Sequence, residues 1–127
     1  DIPITLMTIA GCDIDDEVQG QPIQNISNSL EWKKGVYIQI SESFLGRAVR
    51  TDRYKYTIYA PDKHPFNDMT SDVYEEKYLF DLEKDTLEQN NLLDDPSYRD
   101  VKEKMQELIL EYAKQAGEPE FRIVSDK

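Results

Sequence analysis

Tyr98, Val101, Met105, Leu108, Ile109, Tyr112 and Ala116 recur on one stripe of a 3.6-residue period, while Arg99, Lys102, Glu103, Glu107, Glu111 and Lys114 fall off it. The sequence predicts an amphipathic helix from Pro96 to Ala116. Asp95 caps its start, Pro96 takes the first helical position, and Gly117 with Pro119 stops it. Burying the five larger apolar members at about 1.5 to 3 kcal/mol each contributes on the order of 10 kcal/mol before entropy. A helix with one apolar stripe must lie on something apolar.

The partner is predicted in the middle of the chain. In "VYIQIS", Val36, Ile38 and Ile40 alternate with Tyr37, Gln39 and Ser41, the two-residue period of a half-buried strand. Gly46 permits a reversal into "RAVRT", and Asp52-Arg53 separates it from "YKYTIYA", where Tyr54, Tyr56, Ile58 and Ala60 share a face. Residues 61–73, with two prolines and little pattern, read as a loop before the short aromatic strand "YLFDL". The expected fold class is α+β: about four antiparallel strands packed against the C-terminal helix.

The amino-terminal stretch fits this layer pair poorly. Ile2, Leu6, Ile9 and Ala10 recur at helical spacing, with Pro3 in the first turn and Gly11 as the stop, so a short helix is expected. Residues 12–35 then carry two glycines, a proline and many amides without sustained period, a long connection for a compact domain. This suggests that residues 1–30 lie across a body the chain does not contain. Because the first residue is Asp1 rather than a methionine, the chain is expected to begin within a longer protein or after processing.

Charge excludes several function classes. Fifteen basic against 26 acidic residues give a net charge of −11, which repels nucleic acid and anionic membrane surfaces. No apolar run approaches the roughly 18 residues of a membrane span. The single cysteine, Cys12, cannot form an internal disulfide and is expected as a small core residue.

Chemistry-bearing side chains gather at "YLFDLEKDTLEQNNLLDDPSY", residues 78–98. Asp81, Glu83, Asp85, Glu88, Asp94 and Asp95 invite a calcium reading, but their spacing differs from a twelve-residue calcium loop and lacks its central glycine. The alternative is a structural turn and cap built by Asp81, Asp85, Glu88, Asn91 and Asp95, whose side chains bond nearby backbone, with Leu92-Leu93 plugging the loop into the core. Arg47, Arg50 and Arg53 read as structural ion pairs or as an anion patch. Tyr54, Tyr56, Tyr59, Tyr74 and Tyr78 read as sheet core or as a stacking platform. His64 is the only histidine, in the 61–73 loop.

Three ordered blocks resemble the sulfatases of the alkaline phosphatase superfamily. "LFDLEKDTLEQNNLLDDPSY" resembles their C-terminal signature L-Y-D-L-x-x-D-P-x-E-x-x-N-L-x-x-D-P through Leu79, Asp81, Leu82, Asp85, Glu88, Asn91, Leu92, Asp95 and Pro96, with Phe80 for the usual Tyr and Thr86 for the usual Pro. "GRAVRTDRYKYTIY" is similar to their R-x-V-R-T-x-R-x-K-Y-I strand pair through Arg47, Val49, Arg50, Thr51, Arg53, Lys55 and Tyr56. "DIPITLMTIAGCDIDDEVQGQPI" resembles the D-I-x-P-T-L-L-x-L-A-G helix and its following segment, with Pro22-Ile23 where the family has Ser-Leu.

The resemblance implies a division at residue 34: 1–34 would be the end of the upstream sulfatase domain with its crossing segment, and 35–127 the C-terminal subdomain. It implies a parent that hydrolyses sulfate esters of a small molecule or carbohydrate, using calcium and a formylglycine made from Cys or Ser in a C/S-x-P-x-R motif. Cys12, followed by Asp-Ile-Asp-Asp, does not match that motif. No catalytic or metal residue is therefore expected here, and the chain alone should be inactive. The resemblance further implies that the loop carrying Lys63 and His64 leans toward the active-site mouth, where both would contact an anionic substrate. A phosphonate or phosphate ester hydrolase of the same superfamily, and a free-standing binding module for a carbohydrate or protein, stay open. The compartment stays open too; the parent would fit a periplasmic or secreted setting.

Overall fold

The computed structural model of the protein describes residues 1–18, 20–27 and 33–125, organised as two compact units, Asp1–Lys34 and Gly35–Lys127.

In the first unit, helix α1 spans Ile2–Ile9 with Pro3 in its first turn, and Gly11 at φ 67 ends it. Only Ile4 is buried; Ile2, Leu6 and Ile9 are 67, 62 and 69% exposed, an apolar surface that water does not favour. Backbone N–H groups of the returning chain close on the helix, Gln21 donating to Asp1 Oδ1 at 2.9 Å and Ile23 to Thr5 Oγ1 at 2.9 Å. A 3-10 turn follows at Ile23–Ser27. Gln19 and residues 28–32 of the expected connection lie outside the described residues. Cys12 corrects an expectation: it is exposed, because the helix before it turns its own apolar side chains outward and offers no core to enter.

The second unit is α+β. A sheet in the order β1 (Gly35–Ile40), β2 (Gly46–Thr51), β3 (Tyr54–Tyr59), β4 (Val73–Asp81) and β5 (Arg122–Val124) carries helix α2, Arg99–Gln115, on one face. The first four strands are antiparallel neighbours, as the sequence predicts; the fifth, unexpected, pairs with β4 in parallel from Val73↔Arg122 to Glu75↔Val124. β4 also begins five residues before "YLFDL". Its early half is unreadable as a strand because Glu76 points inward, where Tyr56 and Gln106 donate to Oε1 at 3.0 and 2.7 Å and Lys102 to Oε2 at 3.2 Å. A buried carboxylate with three donors is tolerated, but it breaks the polar-apolar alternation.

Between β3 and β4 the register slips at Thr57/Ile58, so Lys77 is an extra residue, a bulge. The β4 edge beside it is closed by a side chain: Asn91 Oδ1 accepts from Leu79 N–H at 2.9 Å and Asn91 Nδ2 donates to Lys77 C=O at 3.1 Å, while Leu92 N–H reaches Leu79 C=O at 2.8 Å. Asn91 thus does the work of a short edge strand.

The core lies between sheet and α2, where Val49, Tyr56, Ile58, Tyr74 and Leu79 meet Met105 and Ile109. In β1 it is Tyr37, opposite Val49, that packs toward this core, and Val36 is exposed. At the end of α2, Ala113 rather than Ala116 is buried. Asp95 caps a 3-10 turn, Pro96–Tyr98, that leads into the helix, its Oδ1 accepting from Ser97 N–H at 2.9 Å. Gly117, at φ 74, donates to Lys114 C=O and Glu118 to Ala113 C=O, a paired closure that needs the left-handed backbone glycine adopts freely. Gly46 is needed for space: a Cβ there would sit 2.8 Å from the Ile58 carbonyl oxygen.

Candidate functional site

The β3–β4 connection, 60–72, holds the residues singled out for substrate contact. His64 organises it. Asn67 and Asp68 N–H donate to the His64 carbonyl at 3.1 and 2.9 Å, Asp68 Oδ2 accepts from His64 N–H at 2.8 Å, and His64 Nδ1 accepts from Phe66 N–H at 3.3 Å. The ring is exposed, with Nδ1 committed and Nε2 its remaining polar atom. Beside the loop lies a cleft of about 440 Å³, walled by Phe66, Met69 and Thr70 from the loop, Gln39 and Ser41 at the end of β1, and Glu118 after α2. Neither Lys63 nor His64 lines it; Lys63 borders a separate hollow of about 150 Å³ with Asp72 and Glu75. Neither of these two hollows is lined by both residues.

Two residues that line the cleft, Arg47 and Glu118, form a buried ion pair. Arg47 Nε meets Glu118 Oε1 at 2.6 Å, with side chains 3 and 5% exposed. The same oxygen accepts from Gln39 Nε2 at 2.6 Å and Tyr37 Oη at 3.1 Å. Arg47 also donates to the carbonyls of Gly46 and Met69, both at 2.9 Å, so the guanidinium ties the 60–72 loop to the sheet. Burial pushes the Glu118 carboxyl up, but its three donors outweigh that and hold it below the usual range. Burial, then the Glu118 charge, pushes the Tyr37 phenol up.

The second charged cluster sits where β4 ends. Arg53 grips the buried Asp81 in a fork, Nε to Oδ1 at 3.1 Å and Nη2 to Oδ2 at 2.9 Å, and reaches Glu83 at 3.1 Å. Tyr98 Oη adds a bond to Asp81 Oδ2 at 3.2 Å. These hydrogen bonds, Arg53's first, hold the Asp81 carboxyl below its ordinary value. The Asp81 carbonyl accepts from Lys84 and Asp85 N–H, Asp85 Oδ2 accepts from Asn90 N–H at 2.7 Å, and Glu88, at φ 56, pairs with Lys55. Among the described residues no group of three or more His, Cys, Asp or Glu is placed to hold a metal ion. Arg50 lies exposed on the sheet face away from Arg47, so the three arginines do not converge on an anion.

Comparison with known proteins decides the family. Residues 1–115 match the family described as N-sulphoglucosamine sulphohydrolase, C-terminal. The chain belongs to this family of sulfatase C-terminal domains. Solved structures agree in fold. A candidate sulfatase from Bacteroides thetaiotaomicron VPI-5482 is similar at 25% identity and TM-score 0.74, covering 93% of this domain and 25% of that chain. BT1596, a 2-O GAG sulfatase, is similar at 26% and 0.71, covering 92% and 24%. BT4656, solved with its substrate D-glucosamine-2-N,6-O-disulfate, shares the fold at 19% and 0.72, covering 89% and 23%. No curated protein matches. This sulfatase domain thus spans about a quarter of the sulfatases it resembles, and no helix among its described residues is long and apolar enough to cross a membrane.

The domain's pH response follows from these clusters. Asp81, Asp95 and Glu118 have lowered folded-state values, so they stabilise the fold above the ordinary carboxylate range and that contribution is lost as pH falls through their folded values. Tyr37, Tyr56 and Tyr74 are raised, chiefly by burial, so stability is lost as pH climbs past the ordinary phenol value of about 10. Circular dichroism melts should show a plateau near neutrality, with the melting temperature falling below pH about 4 and above about 10.

Glu118, Tyr37, Gln39 and Glu76 carried no sequence signal as site residues. Their partners are distant in the chain, 71 residues separating Arg47 from Glu118, and no local period reports such pairs.

Proposed function

We propose that this domain completes a sulfatase that removes a sulfate group from a sugar, with residues 1–34 as the end of the upstream catalytic domain and 35–127 as the C-terminal subdomain. The match of residues 1–115 to the N-sulphoglucosamine sulphohydrolase C-terminal family carries the sulfatase part of this reading. It is supported by relatives described as acting on a disulfated glucosamine and on 2-O-sulfated glycosaminoglycan. The exposed apolar side of α1 supports the placement of residues 1–34, since burial against a larger body would remove it from water.

The formylglycine and calcium implied by the family find no home in the described residues: Cys12 lacks the flanking Pro and Arg, and no acidic cluster has ligand geometry. Nucleophile and metal belong to the upstream domain, and this chain alone turns over no sulfate ester. Its part is to shape one wall of the substrate entrance with the 60–72 loop, where exposed His64 and nearby Lys63 meet the anionic substrate.

In the full-length enzyme, His64→Ala should raise KM for a sulfated glucosamine about tenfold, the loss of one hydrogen bond to a charged group, with kcat within about twofold. Unchanged KM and kcat would remove His64 from the entrance. Hydrolysis of phosphate but not sulfate esters would overturn the reading of the parent.

A further inference from the structure

On the sheet face turned away from α2, which also carries Glu75 opposite Tyr59, Lys77 makes no ion pair among the described residues. The bulge at β4 swings Lys77 onto the side occupied by Tyr59 and Tyr78, and its ammonium lies 4.0 Å from the Tyr59 ring centre, 4.6 Å from Phe44 and 5.5 Å from Tyr78. Tyr78 stacks on Phe80 at 5.6 Å, and Lys55 caps Phe80 at 5.9 Å. Lys77, Tyr78, Phe80 and Lys55 thus follow one another in contact, two rings between two ammonium groups. Among the described residues Lys55 has Glu88, Lys84 has Asp81 and Lys102 has Glu76 as carboxylate partners; Lys77 has none.

Three π faces hold a lysine in place but satisfy none of its N–H donors, which still call for oxygen acceptors. On a protein of net charge −11, an ammonium held among rings, with no ion pair among the described residues, is a point at which an anion is favoured. Tyr78, 39% exposed, lies beside it.

We propose that Lys77, framed by Phe44, Tyr59 and Tyr78, is a binding point for a sulfated saccharide: the ammonium takes sulfate oxygens, and a pyranose ring lies on Tyr78. The site stands apart from the His64 loop. It rests on the sulfatase reading only for the choice of sulfate over other anions. It would hold a sugar unit of a longer chain away from the one being cleaved.

The test is calorimetric titration of the full-length protein with a sulfated tetrasaccharide prepared from heparin, against its desulfated, N-acetylated counterpart. The sulfated probe should bind more tightly, and increasingly so at low salt. Lys77→Gln should weaken it about tenfold, the loss of one charge-assisted bond, while Lys77→Arg retains it. Tyr78→Ala should weaken both probes, and Tyr78→Phe neither. Equal binding by Lys77→Gln and the parent, or no preference for the sulfated probe, would overturn the proposal; so would a site made inaccessible by the upstream domain, seen as wild-type affinity unaffected by any of the four substitutions. Turnover of a small sulfate monoester reports separately on the sulfatase reading: Lys77-dependent binding without such turnover sinks that reading alone, and turnover without Lys77-dependent binding sinks only this one.

Discussion

Truncating Glu118 to alanine should cost about 3 to 5 kcal/mol of folding stability, because it leaves the Arg47 guanidinium buried without its anion. The carboxylate oxygen serves Arg47, Gln39 and Tyr37 at once, so its loss also strips acceptors from two further donors. Urea unfolding of the wild type and Glu118→Ala would read the difference as a lowered midpoint at constant slope. The double variant Arg47→Met, Glu118→Leu should recover most of the loss, since a dry apolar pair removes both desolvation costs. A single-variant cost under about 1 kcal/mol would show that water reaches the pair and screens it.

Ile109→Ala should be comparably damaging, at about 2 to 5 kcal/mol. Ile109 is fully buried in the cluster that joins α2 to the sheet, and α2 is the one α-helix among the described residues of this unit. One position along, Leu110 is exposed, and Leu110→Ala should change stability by less than about 0.5 kcal/mol. The contrast isolates the stripe from helix propensity, because both variants introduce the same residue into the same turn. Equal effects would mean that α2 does not bury the face its periodicity assigns.

These two sites also mark where the sequence was and was not readable. Ile109 was legible because a 3.6-residue period repeats over five turns and every member reports the same face. The antiparallel order of β1 to β4 was legible for a similar reason, through short alternating runs broken by Gly46 and Asp52-Arg53. Glu118 was invisible, lying after a helix stop with a partner in β2. β5 was missed because three residues cannot display a period, and its parallel pairing with β4 joins segments about fifty residues apart. The start of β4 was missed because Glu76, inward and charged, reads as surface. Lys63 and His64 are grouped only by the family resemblance of their loop; of the two hollows beside that loop, Lys63 lines one and His64 neither.

The match to the family ends at residue 115, yet the protein's own architecture does not. Beyond that point lie the glycine closure of α2, the acid that neutralises Arg47 and the strand that shields Val73–Glu75. A polypeptide trimmed at the homology limit would keep every recognisable motif and still present a naked sheet margin to its neighbours, the usual starting point for self-association. Boundaries drawn by kinship and boundaries drawn by cohesion part company here by about ten residues, and the second kind decides whether a domain stays in solution.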